Sequence, residues 1–248
     1  MSLYITRGVR IVNGGGLYLE DVDTLLFSDL HIGYEQALEK MGVSIPRSQY
    51  GRIKKTILDG IESLNPSSIV ILGDVKHEFG ESTAQEWVET RDLLETLLGT
   101  GVKVSVVRGN HDNYLIPILR KLGVSMYDPD QTIGRYQFMH GHKPVELRGE
   151  VVIMGHEHPV FAVRDEIGVK VRFKAYMYGK VSGRLLIVLP AVNPISTGTE
   201  INTVPREDFL SPILKSLSLE DFKALVCYGG KVYNFPLSVG ETVLRDTV

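Results

Sequence analysis

Five short stretches of this chain place metal-ligating or proton-transferring side chains where a hydrophobic core has no use for them. They are Asp29-Leu30-His31, Gly73-Asp74-Val75-Lys76-His77, Gly109-Asn110-His111-Asp112, His140-Gly141-His142 and Gly155-His156-Glu157-His158. All seven histidines of the chain lie in these stretches. Asp29 and His31 stand at i and i+2, and in extended chain such side chains point the same way. Both can therefore reach one ion, and oxygen plus imidazole donors suit a first-row divalent cation. Asp74 follows a glycine that lets the backbone turn sharply, and a carboxylate in that place can bridge two ions, one per oxygen. The pairs His140/His142 and His156/His158 repeat the i, i+2 spacing. Cys227 is the only cysteine, which excludes an internal disulfide and a thiolate zinc cluster.

Each stretch ends a short apolar run: Thr24 to Ser28, Ser68 to Leu72, Val104 to Val107, Tyr136 to Met139 and Val151 to Met154. Runs of this length and composition read as buried strands. Between them, Ile53, Ile57, Ile61 and Leu64 predict a helix opened by Pro46. A second helix is predicted over Thr83 to Leu98, with Ser82 and Gln85 or Thr83 and Glu86 as a capping box and Trp87, Leu94, Leu97 and Leu98 as its apolar stripe. A short helix follows around Leu115 to Leu122. Leu3 to Val12 reads as an edge strand. Gly14-Gly15-Gly16 is a turn, since it lacks the Lys-Ser/Thr of a phosphate loop. Towards the C-terminus, Leu185 to Leu189 and Val232 to Leu237 are expected as strands and Phe209 to Val226 as a helix. The strand from Arg172 to Lys180 carries Arg172, Lys174, Tyr176, Tyr178 and Lys180 on one face. Such a face can stack bases and hold phosphates. The plainer expectation is the solvated side of an outer strand.

The chain has 248 residues, 43% hydrophobic and 23% charged, and a net charge of −3. These are globular values, compatible with a single domain over residues 1–248. The charge supplies no global field to draw the protein onto nucleic acid. With no membrane-length apolar run and no basic-then-apolar leader, a cytoplasmic setting without membrane contact is expected. The sequence sets no oligomeric state.

Taken in order, the five stretches resemble the calcineurin-like metallophosphoesterase superfamily. The segment from Leu185 through Gly198 is similar to its small ICC-like members of the DNA ligase-associated type. The resemblance implies an α/β fold: two mixed β-sheets packed as a sandwich with helices on the outer faces, a four-layer αββα arrangement. It implies two divalent metal ions, manganese first, with iron, zinc, cobalt or nickel as substitutes. One ion would be held by Asp29, His31, Asp74 and His158, the other by Asp74, Asn110, His140 and His156, with Asp74 bridging. His142 shares the face of His140 and is the alternative ligand. It also implies hydrolysis of a phosphoester, with His111 as the general acid. Many members place an aspartate three residues after the Gly-Asp aspartate to orient that acid. Here His77 stands there, as in some nucleases of the superfamily, which leans the substrate towards a diester, with a nucleotide or nucleic acid among the candidates. The group that orients His111 is then His77, Glu78 or Asp112. Two rival readings follow. A nuclease would need a basic groove, for which Arg172, Lys174 and Lys180 are the candidates. A non-catalytic partner-binding module would use the fold as a scaffold.

Overall fold

The structure is a computed structural model and describes residues 3–80, 83–164, 167–237 and 242–243. The first half of the chain builds a seven-stranded sheet in sequence order: β1 (Tyr4–Thr6), β2 (Val9–Val12), β3 (Gly16–Leu19), β4 (Thr24–Phe27), β5 (Ser68–Leu72), β6 (Lys103–Val107) and β7 (Ser125–Tyr127). The expected single edge strand at the N-terminus is thus two short strands paired antiparallel. The second half builds a nine-stranded sheet from β8 (Asp130–Ile133), β9 (Tyr136–Met139), β10 (Val151–Met154), β11 (Val160–Arg164), β12 (Lys170–Val181), β13 (Arg184–Val188), β14 (Lys223–Tyr228), β15 (Lys231–Pro236) and β16 (Thr242–Val243). Both sheets are mixed. β4, β5, β6 and β7 run parallel, as do β9, β10 and β13.

Side chains alternate across each strand, so every central strand feeds two cores. Leu26, Val70, Leu72 and Val107 point inward and meet Phe138, Ile153 and Ile187 of the second sheet. Their neighbours Leu25, Phe27, Ile69, Ile71, Val104 and Val106 point outward under three helices, α2 (Gln49–Leu64), α3 (Ala84–Gly99) and α4 (Ile116–Leu122), which follow the short α1 (Tyr34–Lys40). In α2, Ile53, Ile57 and Ile61 are buried as their spacing predicts. In α3, Thr83 and Glu86 form the capping box; Ser82 lies outside the described residues. The stripe of α3 differs from expectation. Leu94 and Leu97 are buried, but Trp87 is 39% exposed, and Glu86, Thr90 and Leu93 face inward.

The second sheet is covered differently. Its outer face, including Val152, Met154, Met177 and Leu186, packs on Ile201, Phe209, Ile213, Leu214 and Phe222. Those residues sit mostly in irregular chain. The helix expected over 209–226 is one turn, α5 (Pro212–Lys215), followed by β14. Dense apolar residues at helical spacing here plug a sheet face from a loop. Periodicity alone does not separate the two.

The basic and aromatic side of β12 is also not as expected. Tyr176 is 3% exposed, lies between the sheets and donates through its hydroxyl to the carbonyls of Val12 and Gly16. Lys174 is directed to the carbonyls of Ala191 and Asn193, and burial lowers its pKa to about 8. Arg172 is paired with Glu200 at 2.5 Å. The middle of this face is therefore largely buried and offers no base-stacking groove, while Arg172 and Lys180 at its ends are exposed. Among the described residues, no helix is long and apolar enough to cross a membrane.

Candidate active site

The parallel strands of both sheets end at one edge, where β4, β5, β6, β9 and β10 each release one of the five polar stretches. Crevices outside the carboxyl ends of strands are where α/β folds bind ligands. Five of the expected ligands carry positive φ: Asp29 (57°), His31 (43°), Asp74 (49°), His156 (68°) and His158 (47°). A left-handed backbone at a non-glycine residue costs on the order of 1 kcal/mol, and such residues cluster at functional sites. Two glycines are required by close approach. A Cβ at Gly109 would lie 2.1 Å from Asp74 Oδ1, and one at Gly155 would lie 2.5 Å from Asp29 Oδ2.

Two groups of donors that each include a carboxylate converge there, Asp29 with His31 and His158 and Asp74 with His140 and His156, and a third group of imidazoles, His31 with His77 and His111, adjoins them. His158 Nε2 lies 3.1 Å from Asp29 Oδ1, and 3.3 Å from His31 Nε2. Asp74 Oδ2 lies 3.3 Å from His140 Nε2 and 3.8 Å from His31 Nε2, which places this carboxylate between the groups. Asn110 turns its Oδ1 to His140 Nε2 at 3.1 Å. A carbonyl can only accept, so His140 Nδ1 must donate to Leu72 O (2.8 Å) and His158 Nδ1 to Thr197 O (3.2 Å). In their neutral forms both rings then turn an Nε2 lone pair towards the cluster, His140 facing the oxygens of Asp74 and Asn110 and His158 facing Asp29. Such an arrangement calls for a positive charge in the middle, and the donor set of carboxylate, amide and imidazole fits a divalent first-row metal.

The electrostatics agree. Asp29 is fully buried, which raises its pKa, yet His158 and His140 outweigh burial and hold it at about 2. Asp74 is lowered for the same reason, against burial, by His140, His31 and His111. His31 and His156 are pushed down to about 3, by burial and by neighbouring imidazoles. Carboxylates kept ionised and imidazoles kept neutral are the ligating forms of both. His140 and His158 are the exceptions: burial disfavours their charge, but Asp74 and Asp29 lift His140 to about 10, and Asp29 raises His158. His142 stands apart from both donor groups, its ring 5.2 Å from His140 and 6.1 Å from His156, and its buried Nδ1 has no hydrogen-bond partner.

His111 lies at the rim. Its Nδ1 donates to the backbone carbonyl of His77, its ring stacks on Phe79 (centroids 3.6 Å apart), and its Nε2 is 3.7 Å from Asp74 Oδ2. None of the three side chains expected to orient it hydrogen-bonds it, although the His77 ring lies alongside, centroids 5.5 Å apart. The His77 ring turns to His31, Nδ1 to Nδ1 at 3.4 Å. Glu78 pairs with Lys40 at 2.7 Å. Asp112 is fully buried and accepts from the N–H groups of Asp74, Val75 and Gly109, each at 2.9 Å. It clamps the ends of β5 and β6 together.

Other residues that hold the site gave weak signals in the sequence. Asn193, fully buried, donates to the carbonyls of Leu30 and His31 at 3.0 Å each. Its only mark is a place between Pro190 and Pro194 just past a strand. Glu157, between two expected ligands, points away from them and accepts from Thr199 Oγ1 (2.5 Å), Leu210 N (2.9 Å) and Ser211 N (2.9 Å).

Two packed mixed sheets with an oxygen and nitrogen donor cluster at their common strand edge define a metal-dependent phosphoesterase. The chain belongs to the calcineurin-like phosphoesterase family, whose sequence model matches residues 23–230. Among solved structures it is similar to the nuclease MPE of Pseudomonas putida, with 18% identity over 95% of this chain and 99% of that one and a TM-score of 0.67, which is a likeness of fold. It is also similar to the phosphoesterase Yfce of E. coli, with 22% identity over 68% of this chain and 79% of that one and a TM-score of 0.41. No curated protein matches the sequence.

Proposed function

We propose that this protein hydrolyses a phosphodiester at a two-metal centre, with Asp29, His31, Asp74 and His158 holding one divalent cation and Asp74, Asn110, His140 and His156 the other. Manganese is the first candidate, in keeping with the donor set. The observation that carries the reading is the place of Asp74 between the two donor groups. Two such cations supply hydroxide at neutral pH and neutralise the charge that builds on the phosphoryl oxygens.

The chain's own residues do the rest. With Nδ1–H committed to the His77 carbonyl, His111 turns Nε2 to the centre, where a proton on it can pass to the departing alkoxide. His140 is selected over His142 as ligand because its Nε2 faces Asp74 and Asn110. Asn193 and Asp112 fix the backbone that carries Asp29, His31, Asp74 and Asn110. The diester preference rests on His77. That histidine stands where some nucleases of the superfamily also carry one, and this resemblance is what leans the substrate towards a diester.

The test is hydrolysis of bis(p-nitrophenyl) phosphate beside p-nitrophenyl phosphate with manganese added. The diester is expected to turn over faster, and Asp74→Asn to remove on the order of 10³-fold or more of that rate, beyond the 10–100-fold of an outer-shell partner. Faster turnover of the monoester would overturn the preference. Undiminished turnover by Asp74→Asn would overturn the two-metal reading. The fold likeness to a nuclease makes nucleic acid the second reading. It predicts cleavage of oligonucleotides with binding that weakens steeply as salt rises, although Arg172 and Lys174 are already engaged within the protein.

A further inference from the structure

Two oppositely charged side chains are buried beside the loop that carries His77, and the mechanism above uses neither. Lys76 is 1% exposed and Glu86 is 0% exposed. Lys76 Nζ donates to the carbonyls of Glu78 and, at 3.2 Å, Gly80. Glu86 Oε1 accepts from the N–H groups of His77 (3.1 Å) and Glu78 (2.8 Å), while Oε2 accepts from Thr83 N (2.8 Å). Only the last bond belongs to the helix cap. The loop is thus held by its carbonyls on a cation and by its N–H groups on an anion.

Such an arrangement is not built for stability alone. Burying a charge is costly unless it is well paired, and apolar residues of similar volume often serve a core as well or better. α3 even turns Trp87 towards solvent to bring Glu86 inward. What the two charges hold is informative. The His77 carbonyl receives Nδ1–H of His111, and the Phe79 ring, two residues on, stacks on the same imidazole while remaining 60% exposed. Glu86 also packs against the chain after His31: a Cβ at Gly33 would meet Glu86 Cγ at 2.3 Å.

We infer that Lys76 and Glu86 are positioning residues for the proton donor: they fix the His77–Gly80 loop so that the His77 carbonyl and the Phe79 ring hold His111 in one tautomer and one orientation. This rests on the reading of His111 as the acid. A backbone carbonyl in this role also accounts for His77 standing where relatives carry an aspartate, since the carbonyl is independent of side chain.

The experiment uses Lys76→Met, which keeps the stem, and Glu86→Gln, which keeps one acceptor oxygen, beside His111→Ala. Manganese-loaded proteins are assayed on two diesters, one with a p-nitrophenolate leaving group and one with an alkoxide. General acids contribute about 10²–10⁴-fold, and most where the leaving group is poor. Lys76→Met is expected to lower kcat about 100-fold on the alkoxide substrate and less than about fivefold on the nitrophenyl one, with KM and metal content unchanged. Glu86→Gln is expected to fall between it and the wild type. In the His111→Ala background, Lys76→Met should remove nothing further. Equal losses on both substrates, or a further loss in that background, would mean that the pair is merely structural. If His111→Ala itself shows no leaving-group dependence, the acid reading fails and this proposal with it. A second measurement does not need turnover. In zinc-loaded protein, ¹⁵N imidazole spectra should show His111 Nδ1–H protected from water exchange in the wild type and exchanging at least about tenfold faster in Lys76→Met. Identical protection in both overturns the proposal whatever the kinetics show.

Discussion

Asp112 and Glu157 are both fully buried carboxylates, each accepts three hydrogen bonds, and each adjoins expected metal ligands, yet they brace different things. Asp112, at the end of the first sheet, binds the N–H groups of Asp74, Val75 and Gly109. It ties together the two strand ends from which Asp74 and Asn110 project. Glu157, at the end of the second sheet, binds Thr199, Leu210 and Ser211. It ties the irregular cover of that sheet to the turn bearing His156 and His158. The first half of the site is thus set by a clamp inside it. The second half is set by a cover docked from outside. The difference follows from what lies over each sheet. Helices saturate their own backbone groups and leave the first sheet's loops to bond one another. The irregular segment over the second sheet has free N–H groups that need buried acceptors.

Substitutions can separate the two braces. Asp112→Asn should cost the most. It turns an amide NH₂ towards at least one backbone N–H, a loss of about 2–3 kcal/mol, and it loosens the strand ends, which should weaken metal binding about 10–100-fold by calorimetric titration. Glu157→Gln should cost a similar 1–3 kcal/mol in denaturant unfolding, because its donors are also orphaned. Its effect on metal affinity should stay under about tenfold, since the donors belong to the cover. Equal losses of metal affinity in the two variants would erase the distinction between clamp and cover.

The smallest effect tests the cover alone. Burial works to raise the pKa of Glu200, but Lys170, Thr203 and Arg172 outweigh it and hold the carboxyl at about 2, against an ordinary value of 4.5. The folded state therefore binds its proton less readily than the unfolded chain. The contribution is complete above about pH 4.5 and is lost as pH falls through about 2. Glu200→Gln should lower Tm by about 2–4 °C at neutral pH, the effect of an ion pair worth at most about 1 kcal/mol. The gap from wild type should narrow as the pH is lowered through that window. A gap independent of pH would assign the loss to packing.

Local chemistry and tertiary structure divide the site between them. The donors were legible in the chain itself. A carboxylate or imidazole placed directly after a run such as Ser68 to Leu72 must emerge at a strand end, and spacings such as Asp29 to His31 make side chains converge within one turn. The helix over 49–64 and the capping box at Thr83 were legible for the same reason, since periodicity and caps are properties of neighbours. The face of α3 was not. Trp87 and Glu86 are adjacent, and the glutamate turns inward to partners that its own helix supplies only in part, at the Thr83 cap, the rest coming from the His77–Gly80 loop. Nor was the partner of His111 legible, because a backbone carbonyl leaves no mark in the amino-acid types. The misjudged helix over 209–226 has the same cause: its apolar residues face a sheet that forms far away in the sequence. The sequence by itself determined which atoms can bind metal and carry a proton, because that is side-chain chemistry. Tertiary structure decided which of them meet and what holds each in place, because buried hydrogen bonds are satisfied by whatever the fold brings within about 3 Å.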